Sequence, residues 1–501
     1  MVNNMIIPIV LSCTMAYFAV RWIYFKILKV AIEKNLVDNP EGRKMQKQPV
    51  PVVGGLAVFL GVLTGIMTAT AYHHTFCPET ESTNLLPIIC AMSVMIYIGA
   101  LDDILGLTPM ARFAIEIASI VALVFGTGIC IDTFHGLWGI ENIAWWVAVP
   151  LTVFAGVGII NSINMIDGVN GLSSGLCMTC CIVFGAAFVI ANDMANAILA
   201  FTMAVALLPF FLRNVFGMKS RMFIGDAGTM VMGIMITWFV MSMLSKNSLV
   251  AYNSSSHNVN LIAFSLAVLS VPIFDTLRVM SMRMANGGSP FMPDKTHLHH
   301  VFVNVGISHI ITSISEILIG LLIVAIWYAS FLLGSSFEVQ LYVVIASSML
   351  LVWGTFAFLR YHAKNHTEFL HWLSHTSERT QLGRKDWWKS YSQWLDRPIS
   401  YAYTDSADDP KLAKSAVARD KFNPYQPAKR QVLTIDVSRN LVMTYIKGKA
   451  EVHVKDLIAY SGAEEKHVSV IIREEIKSGR IRVLKHNDNG DPAIIASFDC
   501  Y

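Results

Sequence analysis

Charge is what this 501-residue sequence has least of: 15% of its residues are charged, 54% are hydrophobic, and the formal net charge is only +3. So small an excess gives no reason to expect a nucleic-acid partner. The eight cysteines are scattered, so no disulfide framework is visible. Cys177, Cys180 and Cys181 have a CxxC-like spacing, but they lie on an apolar segment without a second pair and read as core packing. Cys77 and Cys130 fall where an oxidising compartment would let them pair. There is no HExxH zinc motif and no visible internal repeat. The first apolar run, 6–28, has no basic segment before it and is followed by Lys and Arg, so it reads as an anchor with its N-terminus outside rather than a cleaved leader.

Apolar runs of membrane-spanning length are abundant. Eleven are expected, over 6–28, 53–72, 85–102, 112–130, 144–161, 171–191, 195–212, 227–245, 260–280, 311–333 and 338–359. The expected fold is therefore an all-α polytopic membrane domain of about 11 transmembrane helices over 1–360. The loops alternate in charge. Lys29, Lys34, Arg43, Lys44, Lys47, Arg213, Lys219, Arg221, Arg283 and Lys295 lie on one side, and the other holds little beyond Lys246. The positive-inside rule makes the basic side, and the tail after the last span, cytoplasmic.

The unusual polar clusters all fall on that side. The turn at 161–171, Asn-Ser-Ile-Asn-Met-Ile-Asp-Gly-Val-Asn-Gly, separates two apolar runs. Its Asn164, Asp167 and Asn170 are oxygen donors suited to Mg²⁺ or to the hydroxyls of a nucleotide or sugar, and helix capping is the plainer reading. Asp102 and Asp103 are adjacent carboxylates at a bilayer boundary, which repel unless a cation lies between them. Asp226 stands between two glycines at an expected helix N-terminus, where it caps the helix or meets a metal held against phosphate. Lys219 and Arg221 before it hold a phosphate or simply mark the inside. His297, His299 and His300 follow Asp294 and Lys295 in a loop where imidazoles can donate to phosphate or sugar oxygens. Asp275 with Arg278, and Arg112 with Glu116, read as local ion pairs along single helices.

Together, Pro51-Val-Val-Gly-Gly55, Leu101-Asp102-Asp103, the 161–171 turn, Phe223-Ile-Gly-Asp226-Ala-Gly, Pro272-Ile-Phe-Asp275-Thr-Leu-Arg278 and His297-Leu-His299-His300 resemble, in order and spacing, the polyprenyl-phosphate N-acetylhexosamine-1-phosphate transferases. The likeness covers about residues 5–360 and is closer to the WecA-like branch than to the MraY-like one. It implies an enzyme of the bacterial inner membrane that transfers a sugar 1-phosphate from a UDP-N-acetylhexosamine to undecaprenyl phosphate, releases UMP, and starts an envelope polysaccharide such as O-antigen. N-acetylglucosamine is the implied sugar. It implies Mg²⁺, or Mn²⁺ in its place, on Asp226 and Asp167, with Asp102 and Asp103 as catalytic carboxylates beside the lipid phosphate and Asp167 counted among the catalytic residues as well. Asn164 and Asn170 fall in the nucleotide site, the three histidines on the donor, and Arg43 and Lys44 on the prenyl phosphate. Two departures stand out: Asn170 replaces a second Asp frequent in that turn, and Met45-Gln46 stand where a histidine is common.

Residues 361–430 are polar and tryptophan-rich and read as an interfacial segment or a linker. From 431 a small soluble α+β pattern begins, with helices over 454–460 and 465–477 and a hairpin at 480–484 and 493–497, which resembles a winged helix. Ten basic and ten acidic residues over 431–501 argue against DNA and for a protein-docking role with a partner not named by the sequence. A homodimer is compatible with the reading. A secondary transporter and a membrane-anchored sensor are the rival classes. Transporters place ionisable groups near the bilayer midplane, and a sensor would leave the Asp and His clusters idle.

Overall fold

In the computed structural model, the described residues are 2–34, 36–38, 50–76, 85–254, 258–290, 296–365, 369, 385–404, 452–454, 468, 471–472, 474–476, 478, 481–486 and 492–497. The chain divides into two compact units, residues 1–421 and 422–501.

In the first unit the apolar runs fold as helices: α1 (Val2–Glu33), α2 (Gly54–Phe76), α3 (Leu86–Leu105), α4 (Pro109–Thr127), α5 (Trp145–Met165), α6 (Leu172–Ile190), α7 (Met194–Phe216) and α8 (Gly225–Met243). After them come α9 (Leu249–Ser254), α10 (Leu261–Val268), α11 (Ser270–Ala285), α12 (Leu298–Asn304) and α13 (His309–Leu332). The last span is α14 (Phe337–Ser348) running through a π-helical stretch (Met349–Trp353) into α15 (Gly354–Asn365), and α16 (Asp386–Thr404) lies beyond it. Two short strands, β1 (Val37–Asp38) and β2 (Val50–Pro51), pair antiparallel ahead of α2. Among the described residues, ten helices are long and apolar enough to cross a membrane, and the bent pair α10–α11 makes eleven.

Helix α8 is the axis of the bundle: every residue from Ala227 to Met243 is buried, and α3, α5 and α2 pack around it. Small residues let the backbones meet, as membrane helices without a hydrophobic drive require. A Cβ added at Gly99 would stand 2.3 Å from Ala227 Cα, and one at Gly55 2.4 Å from Gly228 Cα.

The span expected as one helix over 260–280 is broken. α10 and α11 meet at Leu269 with a 77° bend. Pro272 explains it, because its ring nitrogen cannot donate to the Val268 carbonyl one turn back. That carbonyl accepts the Cys180 thiol instead, at 3.4 Å. Cys177, Cys180 and Cys181 are buried in the apolar core, as core packing requires. Cys130 is a buried free thiol, which sets aside its pairing with Cys77, a residue outside the described set.

In the second unit, β3 (Val452–His453), β5 (Pro492–Ser497) and β4 (Ile481–His486) form an antiparallel sheet in that spatial order. Of the two helices expected there, residues 454, 468, 471–472 and 474–476 are helical, and the others lie outside the described residues.

Candidate active site

The polar clusters meet at one end of the bundle in two groups joined by the 161–171 turn. The first is a carboxylate group on α3, α4 and α8. Gly106, with φ 67°, ends α3 by returning its N–H to the Asp102 carbonyl. Asp102 then holds the exit loop through the Leu107 N–H, 2.7 Å from Oδ1. Asp103 reaches across to α8, where its two oxygens accept the N–H groups of Asp226 at 2.8 Å and Ala227 at 3.1 Å. A carboxylate on those orphan donors favours the helix start both as acceptor and as charge. Only glycine permits this approach at 225, where φ is 72° and a Cβ would stand 2.5 Å from Asp103 Oδ2. The capping reading of Asp226 is thereby corrected: Asp103 of α3 caps α8, and Asp226 is left to face the site.

Arg112 lies at the centre of this group. Its guanidinium donates to Glu116 Oε1 at 3.3 Å, Asp102 Oδ2 at 3.3 Å, Asn164 Oδ1 at 2.8 Å and Asn161 Oδ1 at 3.4 Å, and lies 4.0 Å from Asp226 Oδ1. Asn161 also donates to Glu116 Oε2 at 2.5 Å, while Asn164 donates to the Asp226 carboxylate and to Thr229 Oγ1 at 2.8 Å. The local-pair reading of Arg112 with Glu116 is therefore too small, since four elements share this one cation. The sequence carries a signal for it, an arginine at the very edge of an apolar span.

The second group is built on α11, α12 and α13. Asp275 pairs with Arg278 at 2.7 Å, receives His297 Nδ1–H at 2.9 Å, and accepts the Leu298 N–H at 3.2 Å on both oxygens. Asp275 thus starts α12 and orients His297, a tertiary role beyond the local ion pair. Arg278 lies 3.6 Å from the Phe356 ring centroid of α15 and donates to the Thr296 carbonyl at 2.7 Å. The His297 and His299 rings stack at 5.7 Å, and His299 and His300 are 4.3 Å apart. Burial and its neighbouring imidazoles hold His299 well below the ordinary histidine range, so it is neutral at pH 7. Both of its ring nitrogens are buried without a hydrogen-bond partner among the described residues. A buried polar pair of this kind is costly unless a ligand satisfies it.

The turn touches both groups. Asn164 is bound into the first, and Gly168 lies against the second, where a Cβ would stand 2.4 Å from His299 Nε2. The Asn170 N–H meets His309 Nδ1 at 3.5 Å, and its carbonyl accepts the Ser313 hydroxyl at 3.0 Å. Asp167 accepts the Ser173 hydroxyl, which favours its charged form. Burial outweighs this and, with the nearby Asp226 charge, pushes the Asp167 carboxyl up to about 7. Asn214 staples the turn to the loop before α8, accepting the Gly171 N–H and donating to the Met222 carbonyl, each at 2.7 Å. Arg221 of that loop lies within electrostatic reach of His309, while Lys219 is exposed. Asn214 and His309 carried no sequence signal. Arg43, Lys44, Asp294 and Lys295 lie outside the described residues.

Among the described residues, no three His, Cys, Asp or Glu side chains form a ready-made metal cluster. Mg²⁺ does not need one, because it keeps waters and binds through one or two carboxylates and substrate phosphates. The site fits such an ion by charge. Asp102, Glu116 and Asp226 gather around Arg112, and Asp103 lies beside Asp226, an excess of negative charge among the described residues that a divalent cation would offset.

Residues 85–244 match the model of glycosyl transferase family 4. The chain is 30% identical over 321 residues, 64% of its length and 84% of the relative's, to a probable undecaprenyl-phosphate N-acetylglucosaminyl 1-phosphate transferase of Bacillus subtilis (strain 168). It is 30% identical over 310 residues, 61% of its length and 77% of the relative's, to the undecaprenyl-phosphate alpha-N-acetylglucosaminyl 1-phosphate transferase of Escherichia coli (strain K12). The corresponding Yersinia pestis protein is 29% identical over 288 residues, 56% of this chain and 73% of its own. The chain belongs to the glycosyl transferase 4 family, in its undecaprenyl-phosphate sugar-1-phosphate transferase branch.

Proposed function

We propose that this protein transfers N-acetylglucosamine 1-phosphate from its UDP conjugate to undecaprenyl phosphate, releasing UMP, at the cytoplasmic face of a bacterial inner membrane. One observation carries the reading: the 161–171 turn brings a carboxylate group and an imidazole group to one end of a membrane bundle. A transporter would place its ionisable groups at the midplane between repeats.

The reaction joins two anions. An oxygen of the lipid phosphate attacks the sugar-bearing phosphorus of the nucleotide, the bond from that phosphorus to the bridging oxygen breaks, and UMP leaves with the electron pair. Such transfers depend on charge neutralisation and in-line placement more than on covalent help. Asp226 and Asp167, with the Asn164 carboxamide, would hold Mg²⁺, which supplies positive charge to the donor diphosphate. Asn164 is fixed for that task by Arg112 and Thr229. Asp103 holds α8, and so Asp226, through two backbone bonds. Asp102 shares Arg112, which keeps the guanidinium beside the reacting phosphates rather than deeper in the bundle. Neutral His299 offers one ring N–H to a donor oxygen, and His297 is held in its tautomer by Asp275. A phosphomonoester has its second pKa near about 6, so the acceptor is largely ionised at neutral pH without a strong base.

The test uses purified membranes, Mg²⁺, undecaprenyl phosphate and radiolabelled UDP-N-acetylglucosamine, with wild type beside Asp226→Asn. Label entering the lipid phase with UMP release, and a loss of about a hundredfold or more in the variant, is the expected result. Product only from another UDP-N-acetylhexosamine would correct the sugar. Silence with every nucleotide sugar, in well-folded protein, would overturn the reading in favour of a transporter or sensor.

A further inference from the structure

The loop leading into α8 is held from outside the bundle by a carboxylate on α16. Asp396 Oδ2 accepts the N–H groups of Met218 at 3.3 Å and Lys219 at 2.9 Å. Its Oδ1 accepts the Ser220 N–H at 3.0 Å and the Ser220 hydroxyl at 2.6 Å. Three successive N–H groups turned to one point form a concave donor set that favours an anion, and here the chain supplies it.

Aromatic rings seat the helix that carries Asp396. Trp388 and Tyr391 lie 4.3 and 5.2 Å from the Phe216 ring at the end of α7, and Arg21 of α1 lies 5.6 Å from the Trp394 ring. Ser392 and Leu395 are buried, whereas Trp387 on the outer edge is 53% exposed. The inner side of the loop is fixed as well. Tyr24 donates to the Ser220 carbonyl at 2.6 Å, Asn214 to that of Met222 at 2.7 Å, and the Phe223 N–H to that of Pro51 at 2.7 Å. Held from both sides, the loop has one course, and Lys219 and Arg221 leave it at set points just before Asp226.

We propose that Asp396 is a positioning residue for the transfer reaction. By clamping residues 217–221 it fixes the stretch that carries Lys219 and Arg221, the cations this reading turns toward the donor's phosphates, and it makes a helix beyond the last membrane span part of the donor site. The inference rests on the reading of this end of the bundle as a nucleotide-sugar site.

Two measurements on the full chain in nanodiscs test it. The first is amide hydrogen exchange over residues 217–221 in wild type, Asp396→Ala and Asp396→Glu, which needs no substrate. Faster exchange in Asp396→Ala, partly restored in Asp396→Glu, is expected, and unchanged exchange would overturn the clamp. The second is steady-state transfer. Losing a charged acceptor shared by several donors should raise the KM for the nucleotide sugar about tenfold in Asp396→Ala, with kcat and the lipid KM within about twofold. Faster exchange with an unchanged donor KM, or a fall in kcat alone, would overturn the positioning role. Faster exchange in a protein that transfers no sugar at all, wild type included, would leave a structural clamp, overturning the positioning role together with the activity reading. Ser220→Ala, which removes one hydroxyl, should shift the donor KM in the same direction by less, and guards against a misfolded Asp396 variant.

Discussion

Replacing Arg112 by methionine keeps most of the side-chain volume and removes the cation at the centre of the carboxylate group. Glu116, whose side chain is 0% exposed, and Asp102, at 10%, would lose their counter-charge at 3.3 Å, and Asn164 would lose its 2.8 Å donor. Asp226 is 34% exposed and 4.0 Å away, so water screens that pair and it is given no weight. Breaking a buried pair by removing one partner costs about 3–5 kcal/mol, because the other charge stays buried. That cost falls on the folded state and is read as a clearly lowered melting temperature, while transfer falls because Asn164 and Asp102 lose the cation that orients them. Glu116→Gln alone should cost under about 1 kcal/mol, since Asn161 still finds an oxygen and Arg112 keeps Asp102. In the double variant the orphaned charge is gone, so it should recover at least about 1 kcal/mol relative to Arg112→Met. Arg112→Lys keeps the charge but not the planar fork that serves four partners, and it should fall between. The assay is the double-mutant cycle on thermal unfolding in nanodiscs, with kcat/KM of each variant measured beside it. Additive effects, or an Arg112→Met protein within about 1 kcal/mol of wild-type stability, would refute the shared-cation argument.

Gly168→Ala would drive a methyl into the buried His299 ring, whose Nε2 lies 2.4 Å from the added Cβ. Overpacking of this kind costs about 1–3 kcal/mol, read as a lowered melting temperature and a raised donor KM. His299→Ala in the same chain should return the melting temperature but not the KM. A second expectation concerns pH: with the Asp167 carboxyl raised to about 7, a cation must displace a proton at lower pH. Apparent Mg²⁺ affinity, followed by calorimetry, should therefore rise between about pH 6 and pH 8, and Asp167→Asn should flatten that slope. The sign for stability is opposite. The folded chain holds this proton more tightly than the unfolded chain, so Asp167 by itself lowers stability as pH rises from about 4 to about 7.

The membrane helices were legible because each needs only a long apolar run, and all backbone polar groups are then satisfied within the segment. The break at Leu269 was missed although Pro272 was in plain view. A proline near a helix start is tolerated, and only the tertiary partner of the freed Val268 carbonyl, Cys180, shows that the chain turns there. The motifs named Asp102, Asp103, Asp226 and the histidines but not the order among them. That Asp103 serves α8 while Asp226 stays open depends on Gly225 allowing two helices to approach, a relation between residues more than a hundred positions apart. The tryptophans of α16 carry an interfacial signal, yet in the sequence the acid among them, Asp396, is indistinguishable from any charge on an outer face.

The position of Asn170 shows how the turn divides the site by charge. Its neighbours Asn164 and Asp167 face the carboxylate side, where Asp102, Glu116 and Asp226 already crowd Arg112. Asn170 sits at the other end, with its backbone tied to His309 and Ser313 of α13 and Arg221 near the same imidazole. A carboxylate at 170 would place a negative charge beside the groups suited to meeting phosphate. It would then compete with an anionic substrate for Arg221 and extend the anionic character across the whole turn. The carboxamide keeps an oxygen donor without that charge. The turn thus contributes one carboxylate on the side suited to a metal and none on the side suited to phosphate. On the proposed function, that difference would orient the donor's diphosphate between the two groups before any single contact is counted.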